Sequence, residues 1–372
     1  MKAIGIILAG GNNNRMKELT AKRAVPALPV AGSFRSIDFA LSSMSNSHIQ
    51  TVAVLTQYNA RSLNEHLSSS KWWNFGRKQG GLFLFTPTVT ADNSDWYRGT
   101  ADAMYQNIDF LKRRHEPYVI ISSGDCVYKL DFNRVLDFHI EKKSDITVVC
   151  KDMMYNDDVS RFGVVRMDDE SRITEFDEKP IEALSNTIST GIYVIRRRRL
   201  IELLEAAAEE NRFDFVNDIL VRYKNVKKIY GYKINSYWNN IADIDAYFKT
   251  NMDFLRPDVR SYFFREEPTI CSKVDDLPPA KFNPGSDISN SLVSSGCIIN
   301  GSVEDSVLFK QVFVGKNTTV KNCVILNDVY IGDNVHLENC IVESRGTINP
   351  NTCYCGEDGV MIVKEKNVRY VI

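Results

Sequence analysis

The residues best suited to handling phosphate lie near the start of the chain. There the apolar run 3–8 leads through Leu8-Ala9-Gly10-Gly11 into Asn12-Asn13-Asn14-Arg15. Glycines after a strand let backbone N–H groups approach phosphate oxygens, and an arginine adds charge. The run 118–122 ends in Ser123-Gly124-Asp125, and a carboxylate at a strand end can hold Mg²⁺ between phosphates. Taken singly, Gly-Gly is also an ordinary tight turn and Asp125 an ordinary turn or cap aspartate. Trp96-Tyr97-Arg98-Gly99-Thr100-Ala101 opens a helix, offering an aromatic face for a base and exposed N–H groups. Phe176-Asp177-Glu178-Lys179-Pro180 sets acidic and basic groups beside a rigid turn, suited to a sugar hydroxyl and a phosphate, or to a plain surface ion pair.

These segments need a scaffold, and the hydrophobic pattern supplies one. Short runs rich in β-branched residues at 3–8, 51–55, 118–122 and 146–150 alternate with helical patterns at 37–44, 62–67, 101–111 and 132–141. That βαβα order predicts an α/β domain over 1–255 with a doubly wound, mostly parallel sheet and ligands at the strands' carboxyl ends. Prolines 257, 268, 278, 279 and 284 mark 256–286 as a linker. From 287 to 372 aliphatic residues recur at hexapeptide spacing, among them Val303, Val307, Val320, Val324, Ile331 and Ile341. This pattern signals a left-handed parallel β-helix, whose open ends favour oligomerisation.

With 372 residues, 44% hydrophobic and 25% charged, the chain is ordinary for a globular protein. A net charge of −1 gives no overall field toward nucleic acid or an anionic membrane. No stretch is long enough to span a bilayer, and the apolar start lacks a cleavage pattern, so a cytoplasmic protein is expected. Arg196-Arg197-Arg198-Arg199 reads as a solvated turn or, with Lys281, as an anion or effector contact. The eight cysteines include no CxxC pair and read as reduced core thiols. Cys353 and Cys355 are too sparse for a zinc site without further ligands, and the five histidines are not expected to cluster around them.

In order and spacing these stretches resemble the glucose-1-phosphate adenylyltransferases of glycogen and starch synthesis over nearly the whole chain. Phe34-Arg35-Ser36-Ile37-Asp38-Phe39, Leu55-Thr56-Gln57-Tyr58, Ser189-Thr190-Gly191, Asp214-Phe215 and Tyr237-Trp238 extend the likeness. The resemblance implies a nucleotidyltransferase-like domain followed by the β-helix. It also implies a reaction of ATP with glucose 1-phosphate and Mg²⁺ that gives ADP-glucose and pyrophosphate. It places the nucleotide at Leu8, Ala9, Gly10, Gly11, Gln57, Tyr97, Gly99 and Thr100. The sugar phosphate falls at Glu178, Lys179, Ser189, Gly191, Asp214 and Trp238, the metal at Asp125, and Arg15 remains as a catalytic cation.

The departures concern charge. Where the family loop continues Gly-Gly-Arg-Gly-Thr-Arg, this chain has Asn12 for the first arginine and Asn13 for the third glycine. Val25 stands where the family carries a lysine, Asn240 where it carries a metal-binding aspartate, and Ala242 and Val216 where it carries glycines. Losing one preorganised stabiliser of transition-state charge costs about 3–4 kcal/mol, roughly two to three orders of magnitude in rate. Asp243 is near enough to Asn240 to serve as a substitute ligand, although its register argues against it. The pattern resembles the regulatory, GlgD-type branch: a weakened Mg²⁺ site and a hetero-oligomer, expected as a tetramer, with a catalytic homologous subunit, or a homo-oligomer when alone. One alternative is an active adenylyltransferase using Asp125, Arg15 and Lys179 with an altered metal arrangement. Another is a β-helix acyltransferase with His336 as base.

Overall fold

Strand Ala3–Ala9 is apolar on both faces, a pattern that belongs in the middle of a sheet covered on both sides. It pairs in parallel with Thr51–Thr56 on one side and Tyr118–Ser123 on the other. The computed structural model describes residues 2–12, 14–76, 80–89, 95–154 and 157–364. Gly81–Phe85 continues the parallel half. Beyond Tyr118–Ser123 the long strand Thr187–Arg196 runs antiparallel and carries Ile146–Asp152 and Gly163–Met167. The nine-stranded sheet is therefore mixed, parallel where the Gly-Gly loop emerges and largely antiparallel toward Glu178.

Helices Ser36–Asn46, Arg61–Leu67 and Phe132–Glu141 stand where the periodicity predicts them. The expected helix 101–111 is two, Thr100–Tyr105 and Ile108–Lys112. At the break, the Asn107 amide donates to Tyr97 Oη and to the Ala103 carbonyl, both at 2.9 Å, the local competition that makes Asn a poor interior helix residue. The arginine run is not a solvated turn. It ends a strand and opens helix Arg197–Glu209, with Arg197 donating to the carbonyls of Glu116 (2.9 Å) and Leu111 (3.0 Å). Two apolar clusters cover the sheet's faces.

Segment 256–286 is more than a connection. It holds helix Pro257–Phe264, and Lys281–Phe282 pairs with Ile298–Ile299 as part of the first solenoid coil. A third apolar cluster joins Met16, Leu19, Val25 and Phe39 to Tyr247, Phe254 and Phe263, and these to Val307, Phe309 and Val324 of the solenoid. The domains thus share one core. Arg23 reinforces it with an ion pair to Glu343 at 2.5 Å, and Asn251 Oδ1 accepts the Ala31 N–H at 3.0 Å.

The C-terminal domain is the left-handed, hexapeptide type of β-helix, with three parallel five-stranded faces. Equivalent turn residues lie 17 apart, as in the amide ladder Asn317–Asn334–Asn351. These asparagines hold φ near 55–60°, a region Asn tolerates. Cys126, Cys150, Cys297, Cys323 and Cys340 are buried as expected, whereas Cys271 and Cys353 are exposed and Cys355 half-buried. The coil register also sets His336 directly opposite Cys353 and Glu338 opposite Cys355, correcting the view that no histidine comes near this pair. Among the described residues no helix is long and apolar enough to cross a membrane.

Candidate functional site

The candidate site is the cleft at the carboxyl ends of Ala3–Ala9, Thr51–Thr56 and Tyr118–Ser123, where a switch in strand order favours ligand binding. Leu8 and Ala9 finish the first strand, and Gly10 and Gly11 leave it. A Cβ at Gly10 would stand 3.2 Å from Gln57 Cβ and 3.4 Å from its backbone nitrogen, so a side chain there would crowd Gln57. Gln57 in turn clamps the Tyr97 backbone, accepting its N–H at 2.7 Å and donating to its carbonyl at 3.3 Å. Asn13 lies outside the described residues. Arg15 is exposed in the turn Asn14–Thr20, and its charge reaches Asp158 and Arg161.

Tyr97 is not the stacking face. It is 9% exposed and accepts a hydrogen bond from Asn107, while burial pushes its phenol up. Its neighbour Trp96 is 59% exposed and stacks on Tyr58 with centroids 5.6 Å apart and planes 21° apart. The N–H groups that open the next helix are also engaged: those of Ala101 and Asp102 donate to the Phe213 carbonyl at 2.8 and 3.2 Å. A Cβ at Gly99 would collide with that same carbonyl. Thr100 Oγ1 donates to Asp214 Oδ2 (3.3 Å) and accepts the Phe215 N–H (2.8 Å). Gly99 and Thr100 therefore lock two segments of the rim together.

At the centre, Trp238–Asn240 pairs antiparallel with Cys126–Tyr128, Asn240 opposite Cys126, and the Ile241 N–H donates to the Asp125 carbonyl at 3.0 Å. Asn240 is thereby placed beside Asp125. Asp125 Oδ1 accepts from Ser123 Oγ and, at 3.5 Å, from the Cys126 thiol, which burial pushes well above its ordinary range. Asn240 Oδ1 accepts the Ala242 N–H at 3.0 Å, which leaves Nδ2 facing Cys126 Sγ at 3.4 Å. Its oxygen is thus turned to the backbone and its donor end to the thiol. Asp243 caps helix Ile244–Asp253 through the Ala246 N–H (2.8 Å) and pairs with Arg161, an engagement that argues against a substitute metal ligand. Val25 is 4% exposed, in the cluster with Met16, Leu19, Val127 and Ile241. Asp125 offers one hard oxygen donor, a set that fits Mg²⁺ when substrate phosphates complete the shell.

On the other flank Glu178 ends strand Ile173–Glu178 and pairs with Lys179 at 3.3 Å. Burial raises the Glu178 carboxyl, Lys179 opposes that, and the Asp214 charge adds to it. Ser189 shares a hydrogen bond with Tyr193 Oη at 3.2 Å. Gly191, at φ 75°, sits where the strand register shifts between Ser189 and Tyr193, and this bulge leaves its Cβ position 3.4 Å from Ser123 Cβ. Asp214 Oδ1 accepts the Asn217 N–H at 2.7 Å, so Asp214 braces the turn in which half-buried Val216 lies. Trp238 is a core side chain, edge-on to Phe162 at 5.6 Å. Sequence reasoning missed Arg161 and Asp158, which join the cleft only through tertiary packing and leave no periodic signal.

The nucleotidyl transferase family model matches residues 4–256 and the GlmU-like C-terminal hexapeptide model residues 278–362. The chain is 38% identical over 320 residues to the glucose-1-phosphate adenylyltransferase of Clostridium novyi, covering 85% of this chain and 84% of that protein. It is 39% identical over 365 residues to that of Geobacillus stearothermophilus, covering 97% and 94%. To the Bacillus subtilis enzyme it is 36% identical over 322 residues, covering 86% and 84%.

Proposed function

The chain belongs to the glucose-1-phosphate adenylyltransferase family, and on that premise we propose that it is a regulatory, catalytically degenerate subunit of ADP-glucose synthesis in glycogen formation. The reaction concerned joins ATP and glucose 1-phosphate, the sugar phosphate oxygen attacking the α-phosphorus and pyrophosphate leaving. Such transfers depend on positioning and on neutralising charge, with little covalent work for the protein. Bound Mg²⁺ would supply part of that neutralisation, held by Asp125 and the phosphates.

The observation that carries the reading is the pair Val25 and Asn240. Val25 is a buried core side chain and carries no charge. Asn240 has a neutral oxygen already bonded to Ala242, so half the expected carboxylate charge at the metal is gone. The flanks keep their binding groups: the Gly10-Gly11 loop with Trp96 for a nucleotide, and Glu178, Lys179 and the Asp214 brace for a sugar phosphate. Ligand binding with little turnover follows. A cytoplasmic hetero-oligomer with a catalytic homologous subunit, expected as a tetramer, completes the assignment. Val25 shares its apolar cluster with solenoid residues Val307 and Phe309, which supports a packed route from this position to the assembly domain.

The test is pyrophosphate release from ATP and glucose 1-phosphate with Mg²⁺ by this chain, by a catalytic homologue from the same cell, and by the two mixed. The reading expects near silence from this chain and a changed rate or effector response in the mixture. A mixture that merely adds the two separate rates would overturn it.

A further inference from the structure

On the solenoid face built from Asp287–Ser289, Ser302–Glu304, Thr319–Lys321, His336–Glu338 and Cys353–Cys355, outward positions form two columns running from coil to coil. One column ends Thr319, His336, Cys353 and the other Lys321, Glu338, Cys355. Alternate residues of a strand share a face, so the last two rungs present an imidazole, a carboxylate and two thiols together. The ligand atoms of His336, Glu338 and Cys355 all lie within 4.8 Å of one another. His336 Nε2 is 3.5 Å from Glu338 Oε2, and the sulfurs of Cys353 and Cys355 are 3.6 Å apart. With Zn–S near 2.3 Å and Zn–N or Zn–O near 2.0–2.2 Å, the edges of a tetrahedral site are about 3.3–3.8 Å.

The chemistry of the set is specific. The three other solenoid cysteines, Cys297, Cys323 and Cys340, are buried and serve as small apolar side chains, whereas this pair faces out beside a histidine. Thiolate and imidazole together select a borderline-soft cation rather than Mg²⁺ or Ca²⁺. Parallel pairing of the two rungs fixes all four Cα positions before any ion arrives, which lowers the cost of ordering the site.

We propose that His336, Glu338 and Cys355, with the adjoining Cys353 thiol turning in as the fourth ligand, form a tetrahedral site for a Zn²⁺-class cation that staples the last rung of this face to the one before it. Among the described residues Cys353–Cys355 is the last strand of its sheet, where a solenoid is held by one neighbour only. Binding converts both thiols to thiolates and releases their two protons to solvent. The site is independent of the cleft and of the reaction proposed above.

The experiment titrates the reduced full chain with Co²⁺ and then with Zn²⁺ under anaerobic conditions. The expected result is one Co²⁺ per chain with tetrahedral ligand-field bands and a thiolate-to-metal charge-transfer band, both erased by Zn²⁺, and a melting temperature raised by Zn²⁺. In a Cys353→Ser/Cys355→Ser variant the charge-transfer band is lost and affinity falls by about 100-fold or more, beyond what outer-shell changes cost. His336→Ala weakens binding but keeps a charge-transfer band. These positions face outward, and the wild-type titration stands even if a variant folds poorly. Co²⁺ spectra without a charge-transfer band, a titration unchanged in the double cysteine variant, or formation of a Cys353–Cys355 disulfide with no Co²⁺ binding by the reduced chain would each overturn the proposal.

Discussion

The flanks of the cleft and its centre differ in what their side chains do. On the flanks polar groups hold one another in place: Gln57 clamps Tyr97, Thr100 ties to Asp214, and Glu178 is held in a half-buried setting beside Lys179. At the centre, Val25 is a buried isopropyl group and Asn240 an amide bonded to its own backbone. Binding and turnover use different parts of such a cleft, because only interactions stronger in the transition state accelerate the chemistry. In the reading proposed above, a cleft with binding walls and an uncharged centre senses substrates without consuming them.

The largest expected effect comes from restoring the centre. Val25→Lys with Asn240→Asp should raise pyrophosphate release by the isolated chain by at least about two to three orders of magnitude, the worth of a single electrostatic stabiliser. Steady-state assay of the double variant checks it, and an unchanged rate would place the defect elsewhere.

A second effect separates loss of fold from loss of binding. His139 sits in the helix behind the sheet, its pKa lowered to about 4 chiefly by burial, with Arg196 adding. An unfolded histidine titrates near 6.5, so the unfolded chain takes up a proton that the folded chain refuses. Stability therefore falls as pH drops from about 6.5 to about 4, by up to about 3 kcal/mol, and this contribution is flat outside that window. Urea unfolding across pH measures it, and His139→Gln should flatten the slope. Ligand affinities measured above pH 6.5 escape this term.

On the nucleotide flank, Trp96→Ala should weaken ATP binding by about 1–3 kcal/mol, the range for base stacking on an aromatic ring, and leave glucose 1-phosphate binding unchanged. Calorimetry with each ligand reads the difference. On the sugar flank, Lys179→Ala removes an exposed cation and should weaken glucose 1-phosphate binding by about 1 kcal/mol, roughly fivefold, with ATP binding unaffected. If both variants weakened both ligands equally, the division into two flanks would fail.

Much of the scaffold was legible because burial patterns are local. Strand 3–8 is apolar on both faces and could only be central, and helix 132–141 begins where Asp131 caps it through the Asn133 N–H at 3.0 Å. The antiparallel half was not legible, since a β-branched run reads the same in either direction and the bulge between Ser189 and Tyr193 depends on the partner strand. In the site, Gly10 and Asp125 stood out as small and acidic residues at strand ends. The exchange of roles between Tyr97 and Trp96 did not, because adjacent residues point opposite ways and only packing decides which is buried. The grouping of His336 with Cys353 is invisible until the coil register is known.

The most direct measurement is Mg²⁺-dependent pyrophosphate release from saturating ATP and glucose 1-phosphate by the purified wild-type chain without any partner, beside the Geobacillus stearothermophilus relative under the same conditions. A rate at least about two orders of magnitude below that relative is the predicted result. A rate within about tenfold of it would mean that a buried Val25 and a neutral Asn240 suffice for catalysis, and the central contrast between walls and centre would be wrong.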